Sequence, residues 1–510
     1  MNAMTQNQFD VIVVGGGGTG LAAAIEAASL GASVVLLEKN GKLGGTTARS
    51  VGSVTSSCTP LQKAAGIEDS PGAHFEDMAL FAGDLLPKDN LEIRRLLADN
   101  TPGTVRWLID MGVVFFGPMP EPPHRVPRMH NILPNSRAYI YNLERNARKL
   151  GVTTRLNARV RSLYRDGGRI AGVEVEGTGG KTERLNAAWG VILASGDFSS
   201  DPALKSRFAP RIADVEGINP TSTGDGQSMA EAVGAEIVNG EVMTGPQIRF
   251  VAPPRKRLIE LIPPARPFAL AMRHSLKWLP SWLLRPFFMM FVTTNLAPSP
   301  SLFAEGAVLV NNRGERFTDE TKEPQFAIPR QPDRIAHIVF DHQVASRFTG
   351  WPHYISTAPG VAYAYLKDYK RNRKDIYHEA DSLEGLAAKL GVPAQALMRS
   401  IDAYNASRPA GKPAIVKAPF YALGPAKSWI IHTEGGVRIN TRMEVLDRSG
   451  TPIPGLFAAG SAGQSGVMLE GHGHHLGWAF TSGRLAGRSA VQPRAPASVT
   501  KADDALLVQA

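Results

Sequence analysis

Residues Leu469 to Trp478 read LEGHGHHLGW, which sets Glu470, His472, His474 and His475 among the glycines Gly471, Gly473 and Gly477. Imidazoles exchange protons near neutral pH and ligate divalent metals, and a carboxylate beside them can do both. The stretch therefore suits proton transfer, metal binding or a merely packed polar turn. A second histidine–carboxylate pair, His432 and Glu434, stands in IHTEGG. What these residues can do depends on what the other elements build around them.

The chain has 510 residues, 43% of them hydrophobic and 20% charged, which suits a globular protein with room for two or three domains. Cys58 is the single cysteine. It excludes an intrachain disulfide, a cysteine-based metal cluster and a C-x-x-C-H haem motif. No apolar run is long enough to predict a transmembrane helix, and MNAMTQNQFD lacks the basic and apolar regions of a signal peptide, so a cytoplasmic protein is expected. The net charge is +10, but no zinc finger or RNP motif accompanies it, so no nucleic-acid partner is expected. Attraction to an anionic surface stays open.

The most specific segment is FDVIVVGGGGTGLAAAIEAASLGASVVLLEKN. Val11 to Val14 predict a buried parallel strand, Leu21 to Leu30 a helix, and Ser33 to Leu37 a second strand ending at Glu38. Between strand and helix, Gly15, Gly17, Gly18 and Gly20 carry a G-x-G-x-x-G pattern. Bare glycines let the backbone approach a pyrophosphate, the helix N-terminus favours its charge, and Glu38 can accept from ribose hydroxyls. KLGGTTARS follows at once. Its Gly44, Gly45, Thr46, Thr47 and Ser50 suit a second cofactor segment along a ribityl chain and flavin.

Here the chain resembles the FAD-dependent fumarate reductase/succinate dehydrogenase flavoprotein superfamily, and GGTTARS is most similar to its 3-ketosteroid dehydrogenase branch. RLNARVRSLYRDGGRIAGVEVE resembles the family's β-meander, GVILASGDFSSDP its closing strand, TSTGDGQSMAEAVGAEI its TGDG turn, and GAVLVNNRGERFTDE its cap hairpin. IHTEGGVRIN and GTPIPGLFAAGSAG resemble the return to the nucleotide domain. The resemblance implies an α/β fold: a Rossmann-like FAD-binding domain with a parallel sheet and β-meander, and an inserted α+β cap for substrate. The domain boundaries expected are 1–243 with 415–490 for FAD, 244–414 for the cap, and a mobile tail at 491–510. It implies non-covalent FAD, since residues 44–57 hold no histidine for attachment. It further places Lys39, Val160, Ser195, Gly196, Asp225, Gly460, Ser461, Gly473 and Leu476 on the cofactor.

The resemblance is uneven at the reacting centre. Pro324 stands where the fumarate-reducing branch has its proton-donating arginine, and Glu470 where it has a clamping arginine. A carboxylate there repels a dicarboxylate. His432 matches a substrate-binding histidine of that branch. Gly473 matches the glycine whose N–H polarises a ketone in the ketosteroid branch, but Leu469 replaces that branch's tyrosine and the cap tyrosine is absent. Tyr354, Tyr363, Tyr365 and Tyr421 are candidate replacements. The expected acid–base group is His472 or His474, with His432 and Glu434 in support; with a flavin in this place, no metal is expected at Glu470–His475.

One cap stretch, Pro253 to Phe291, interleaves Phe268, Trp278, Trp282, Phe287, Phe288 and Phe291 with Arg255, Lys256, Arg257, Arg266, Arg273, Lys277 and Arg285. It suits peripheral membrane contact or access for an apolar substrate, or else a cap core with a basic rim. The expected activity is oxidation or reduction of a CH–CH bond beside a carbonyl, on an apolar, steroid- or terpenoid-like molecule. Fumarate-reductase-like reduction of a carboxylated alkene, and a flavoprotein that binds a membrane or partner, are the alternatives. Electrons would pass to or from a separate carrier, a quinone or oxygen.

Overall fold

Val11, Ile12 and Val13 are wholly buried because their strand, Gln8–Val14, lies inside a sheet covered on both faces. The computed structural model describes residues 7–176, 182–254, 261–280, 285, 289–290, 292–294, 296–358, 362–408 and 410–491. Val34–Leu37 runs parallel on one side, with Val13 opposite Leu36, and Thr182–Leu193 parallel on the other, with Val13 opposite Ile192. Thr153–Arg155 extends one edge, and Pro452–Ala458 with Glu444–Leu446 the other. The strands Val160–Asp166 and Arg169–Glu176 fold antiparallel onto Thr182–Leu193, which is the expected meander.

Helix Gly18–Ser29 is buried along most of its length and packs on the C-terminal helix His474–Val491. Their approach depends on bare glycine. A Cβ on Gly483 would stand 2.4 Å from the Thr19 carbonyl oxygen, and one on Gly487 2.5 Å from that of Ala23. Each contact is closer than two non-bonded atoms can come, so either glycine-to-alanine change pushes the helices apart. A small antiparallel sheet, Ser53–Thr55, Met129–Leu133 and Val114–Met119, flanks the start of the C-terminal helix.

The second body is a six-stranded sheet whose spine is the long strand Phe420–Ile430. Glu216–Gly217, Gln247–Phe250, Ala336–Phe340 and Tyr377–Ala380 all pair with that spine, and Val308–Val310 pairs with Ala336–Phe340. This corrects the expected boundary at 415: the chain returns to the first body only after Ile430. The two crossings touch, because Met243–Thr244 pairs antiparallel with His432–Thr433.

Helix Arg266–Trp278 lies in the inserted segment, yet it packs on the small sheet of the first body. Ala269 is buried there beside Val114 and Leu133. Phe268 and Trp278 remain 49% and 68% exposed. The expectation for Arg255, Lys256, Arg257, Trp282, Phe287, Phe288 and Phe291 lies outside the described residues, as does that for the tail from 492 onward. Among the described residues, no helix is long and apolar enough to cross a membrane.

Candidate active site

A cavity of about 560 Å³ runs from the ends of the parallel strands to the crossing between the bodies. Gly15 must be glycine: φ is +111°, and a Cβ would sit 2.4 Å from the Ala194 carbonyl. Gly20 must be too, with a Cβ 1.8 Å from the Gly15 carbonyl. Gly17 differs. Its φ of −79° suits any residue, and nothing lies within 3.9 Å of a Cβ there. That direction is open cavity at the start of helix Gly18–Ser29, so the cradle fits a pyrophosphate against an N-terminus.

The ends of the groove are also built. Glu38 accepts from the Gly16 N–H at 2.8 Å and from the Asn40 N–H at 2.8 Å, so its carboxylate is fixed beside the glycine turn. Lys39 donates to Asp225 at 2.7 Å and Arg159 to the same carboxylate at 3.1 Å. Those two cations hold the Asp225 carboxyl below its ordinary value despite burial. Asn219 donates to Thr46 at 2.8 Å, and Thr47 accepts from the Gly18 N–H at 3.2 Å.

Of the expected cofactor residues, Gly15, Gly17, Gly18, Glu38, Lys39 and Gly45 line the cavity. So do Thr46, Thr47, Ser50, Val160, Ser195 and Gly196, and also Asp225, Ser461, Gly473 and Leu476. Gly20, Gly44 and Gly460 stand behind the lining. Gly44 donates to the Gly16 carbonyl at 2.9 Å, and Gly460 packs on Thr19.

At the other end, Glu434 is fully buried and accepts at Oε1 from His432 Nε2 at 3.0 Å and His475 Nε2 at 2.9 Å. Gln464 donates to Oε2. Burial pushes the Glu434 carboxyl up, but the two imidazoles more than offset it and hold it well below the carboxylate range. An ionised carboxylate only accepts, so both Nε2 atoms carry hydrogens and donate them to Glu434. Thr244, on the crossing strand, lies 2.9 Å from His432 Nε2. Burial and the Glu434 charge push the Glu470 carboxyl up from its ordinary value.

The strand Gln247–Phe250 alternates as a half-buried strand must: Gln247 and Arg249 line the cavity, while Phe250 enters the cap core. Burial pulls the Arg249 guanidinium down from its ordinary value. His472 also lines the cavity, with Nδ1 2.5 Å from Glu121 Oε1, and that bond raises the imidazole above its ordinary value. Gly473 has φ +93°, and a Cβ would stand 2.6 Å from the Thr55 nitrogen.

His474 is not among the lining residues: its ring is 1% exposed and turns away, against His74 and His124. His475 lines the cavity instead. The expected replacement tyrosines lie elsewhere. Tyr354 and Tyr363 stack around Trp351, Tyr365 precedes helix Leu366–Asn372, and Tyr421 stacks on Phe340 in the cap core. Pro324 is buried in a short 3₁₀ turn and does not line the cavity. His475 stood in the opening histidine stretch but was not among the residues expected to act, and Arg249, Gln247, Thr244 and Glu121 are site residues that no motif singled out. His475 was readable from helical phase, since His474 shares a face with Trp478 and Thr481 and His475 does not.

A family model described as "FAD binding domain" matches residues 10–263 and 277–472. An NADH:fumarate oxidoreductase of Klebsiella pneumoniae is 27% identical over 90% of this chain, and the chain spans 45% of that protein's length. The solved open conformation of a flavocytochrome c3 fumarate reductase aligns with a TM-score of 0.70 at 25% identity, covering 95% of this chain and 78% of that one. A 3-ketosteroid-Δ4-(5α)-dehydrogenase from Rhodococcus jostii RHA1, in complex with 4-androstene-3,17-dione, aligns with a TM-score of 0.59 at 25% identity, covering 97% and 99%.

Proposed function

We propose, for a chain that belongs to the FAD-binding-domain family within the fumarate reductase/succinate dehydrogenase flavoprotein superfamily, that its reaction is reduction or formation of a carbon–carbon double bond conjugated to a carbonyl. The single observation that carries the reading is the buried Glu434 carboxylate held between His432 and His475, which line the cofactor groove. FAD held non-covalently along Gly15–Thr19, Glu38 and Thr46–Ser50 supplies hydride transfer at N5. Proton exchange on the neighbouring carbon falls to Nδ1 of His432 or His475. Glu434 fixes the tautomer of both rings and balances positive charge on either. The Gly473 N–H polarises the substrate carbonyl.

The acids in the cavity, Glu470 and the Glu121 that faces His472, disfavour a dianion. That supports a neutral conjugated ketone, with steroid- or terpenoid-like rings as the class to try first. Arg249 favours a second reading, an alkene carrying one carboxylate. Electrons come from or go to a separate carrier, a quinone, oxygen or a second substrate. Helix Arg266–Trp278, with exposed Phe268 and Trp278 beside Arg273 and Lys277, supports peripheral contact with an anionic membrane.

The test is anaerobic. Reduced holoprotein is mixed separately with cyclic enones, including a 3-keto-4-ene steroid, and with fumarate, while flavin absorbance is followed. Fast reoxidation by enones alone supports the proposal. Reoxidation by fumarate alone overturns it.

A further inference from the structure

Behind the cavity wall, three imidazoles from distant parts of the chain meet. His74 lies on helix Pro71–Ala82, His124 in the loop after Val114–Met119, and His474 opens the C-terminal helix. They are 0%, 8% and 1% exposed. We propose that His74, His124 and His474 bind one tetrahedral divalent transition-metal ion, zinc by preference, which fixes the turn carrying Glu470, His472 and His475.

The geometry carries this. His74 Nε2 and His474 Nε2 are 3.4 Å apart, and one nitrogen from each of the three rings lies within 4.8 Å of the others. Ring centres are separated by 5.6 Å for His74–His124, 5.6 Å for His74–His474 and 5.2 Å for His124–His474. Tetrahedral zinc with bonds of about 2.0–2.1 Å puts adjacent nitrogens about 3.3–3.4 Å apart and ring centres about 5 Å apart. The His74–His474 nitrogens stand at that spacing, and the His124 nitrogen lies within 4.8 Å of both.

Polar bookkeeping agrees. His124 Nε2 is buried with no hydrogen-bond partner, an orphan that a metal bond removes. His474 Nδ1 lies 2.5 Å from the Glu470 carbonyl oxygen, which can only accept; the ring hydrogen is on Nδ1, and the Nε2 lone pair, which faces His74 Nε2, is the atom placed to ligate. His124 Nδ1 lies 2.9 Å from Arg128 and 3.9 Å from Asp77 Oδ2. Ligation at Nε2 puts the ring hydrogen on Nδ1, so the Arg128 contact there is given up. Arg128 is fully buried between Asp69 and Asp77, and Asp77 also pairs with Arg125 at 2.8 Å, which holds the His124 side of the pocket in place. The fourth position is left for a water molecule. Phe81 packs on both His124 and His474 and keeps that side apolar.

The test measures metal rather than turnover. Holoprotein expressed in zinc-supplemented medium, then dialysed, should retain one zinc per chain by mass spectrometry. Protein grown in cobalt should show the intense visible bands of tetrahedral Co²⁺. His124→Gln and His74→Gln should lower retained metal at least about tenfold with the flavin spectrum intact, while His432→Gln leaves it unchanged. Wild-type protein without retained zinc or tetrahedral Co²⁺ bands overturns the proposal without recourse to variants. Metal that survives both substitutions, or that is lost on His432→Gln instead, overturns it as well.

Discussion

His475 Nε2 and Glu434 Oε1 meet at 2.9 Å across 41 residues of chain. One comes from the start of the C-terminal helix, the other from the strand by which the chain returns from the cap. The pair thus ties the segment returning from the cap to the start of the C-terminal helix.

Replacing Glu434 by Gln keeps the shape and removes the charge that orders both rings. The expected result is a fall in kcat of about 10²- to 10⁴-fold with bound FAD unchanged. Stopped-flow reduction and reoxidation of the variant decide it; a loss of only a few-fold would make Glu434 structural.

The same carboxyl sets a pH response. Its folded value is held well below the ordinary one, so below about pH 4.3 the unfolded chain binds the extra proton and stability falls with pH. Above that value the stabilisation is fully present. Denaturant titrations of wild type and Glu434→Gln across the acid range should converge as the pH drops.

Two glycines of one motif, Gly17 before the helix and Gly20 in its first turn, should fail differently. Gly17→Ala meets open space in the protein, so the melting temperature without cofactor should hold, while FAD affinity drops about 10²-fold or more because the methyl group occupies the pyrophosphate path. Gly20→Ala meets the Gly15 carbonyl at 1.8 Å and should lose folded protein outright. Melting curves beside FAD titrations separate the two.

Arg249 divides the two substrate readings. Arg249→Ala should raise KM for a carboxylated alkene by about 10²-fold and leave a neutral enone within a few-fold. Equal losses for both would place the arginine in folding rather than recognition.

His337, in the cap sheet, is 5% exposed, and burial followed by His378 lowers it to about 4. A histidine kept neutral by the fold contributes nothing adverse above about pH 6.5 and costs stability as the unfolded chain protonates below it. The expected loss is about 3 kcal/mol between about pH 6.5 and 4. His337→Gln should flatten that limb in chemical denaturation.

The nucleotide half was legible because its signals are local. Val11–Val14, the glycine turn and Glu38 follow one another within a single strand–turn–helix–strand unit. The cap was not, since Phe420–Ile430 pairs with strands drawn from 216, 247, 336 and 377. No local pattern announces such partners. The histidine turn was half legible: His472 lines the cavity as expected, but exchanging His474 for His475 required the phase of a helix that begins at His474 itself. Arg249 was hidden for a related reason, as an arginine in a short strand carries no sign of which face it takes.

The helix Arg266–Trp278 changes how the cap is mounted. The paired crossings at Met243–Thr244 and His432–Thr433 would act alone as a pivot, leaving the far end free. Ala269 seated between Val114 and Leu133 adds a second anchorage away from that pivot. A load on the cap is then shared between two supports. One support is a set of apolar contacts, and the other carries His432 and Thr244 on its line.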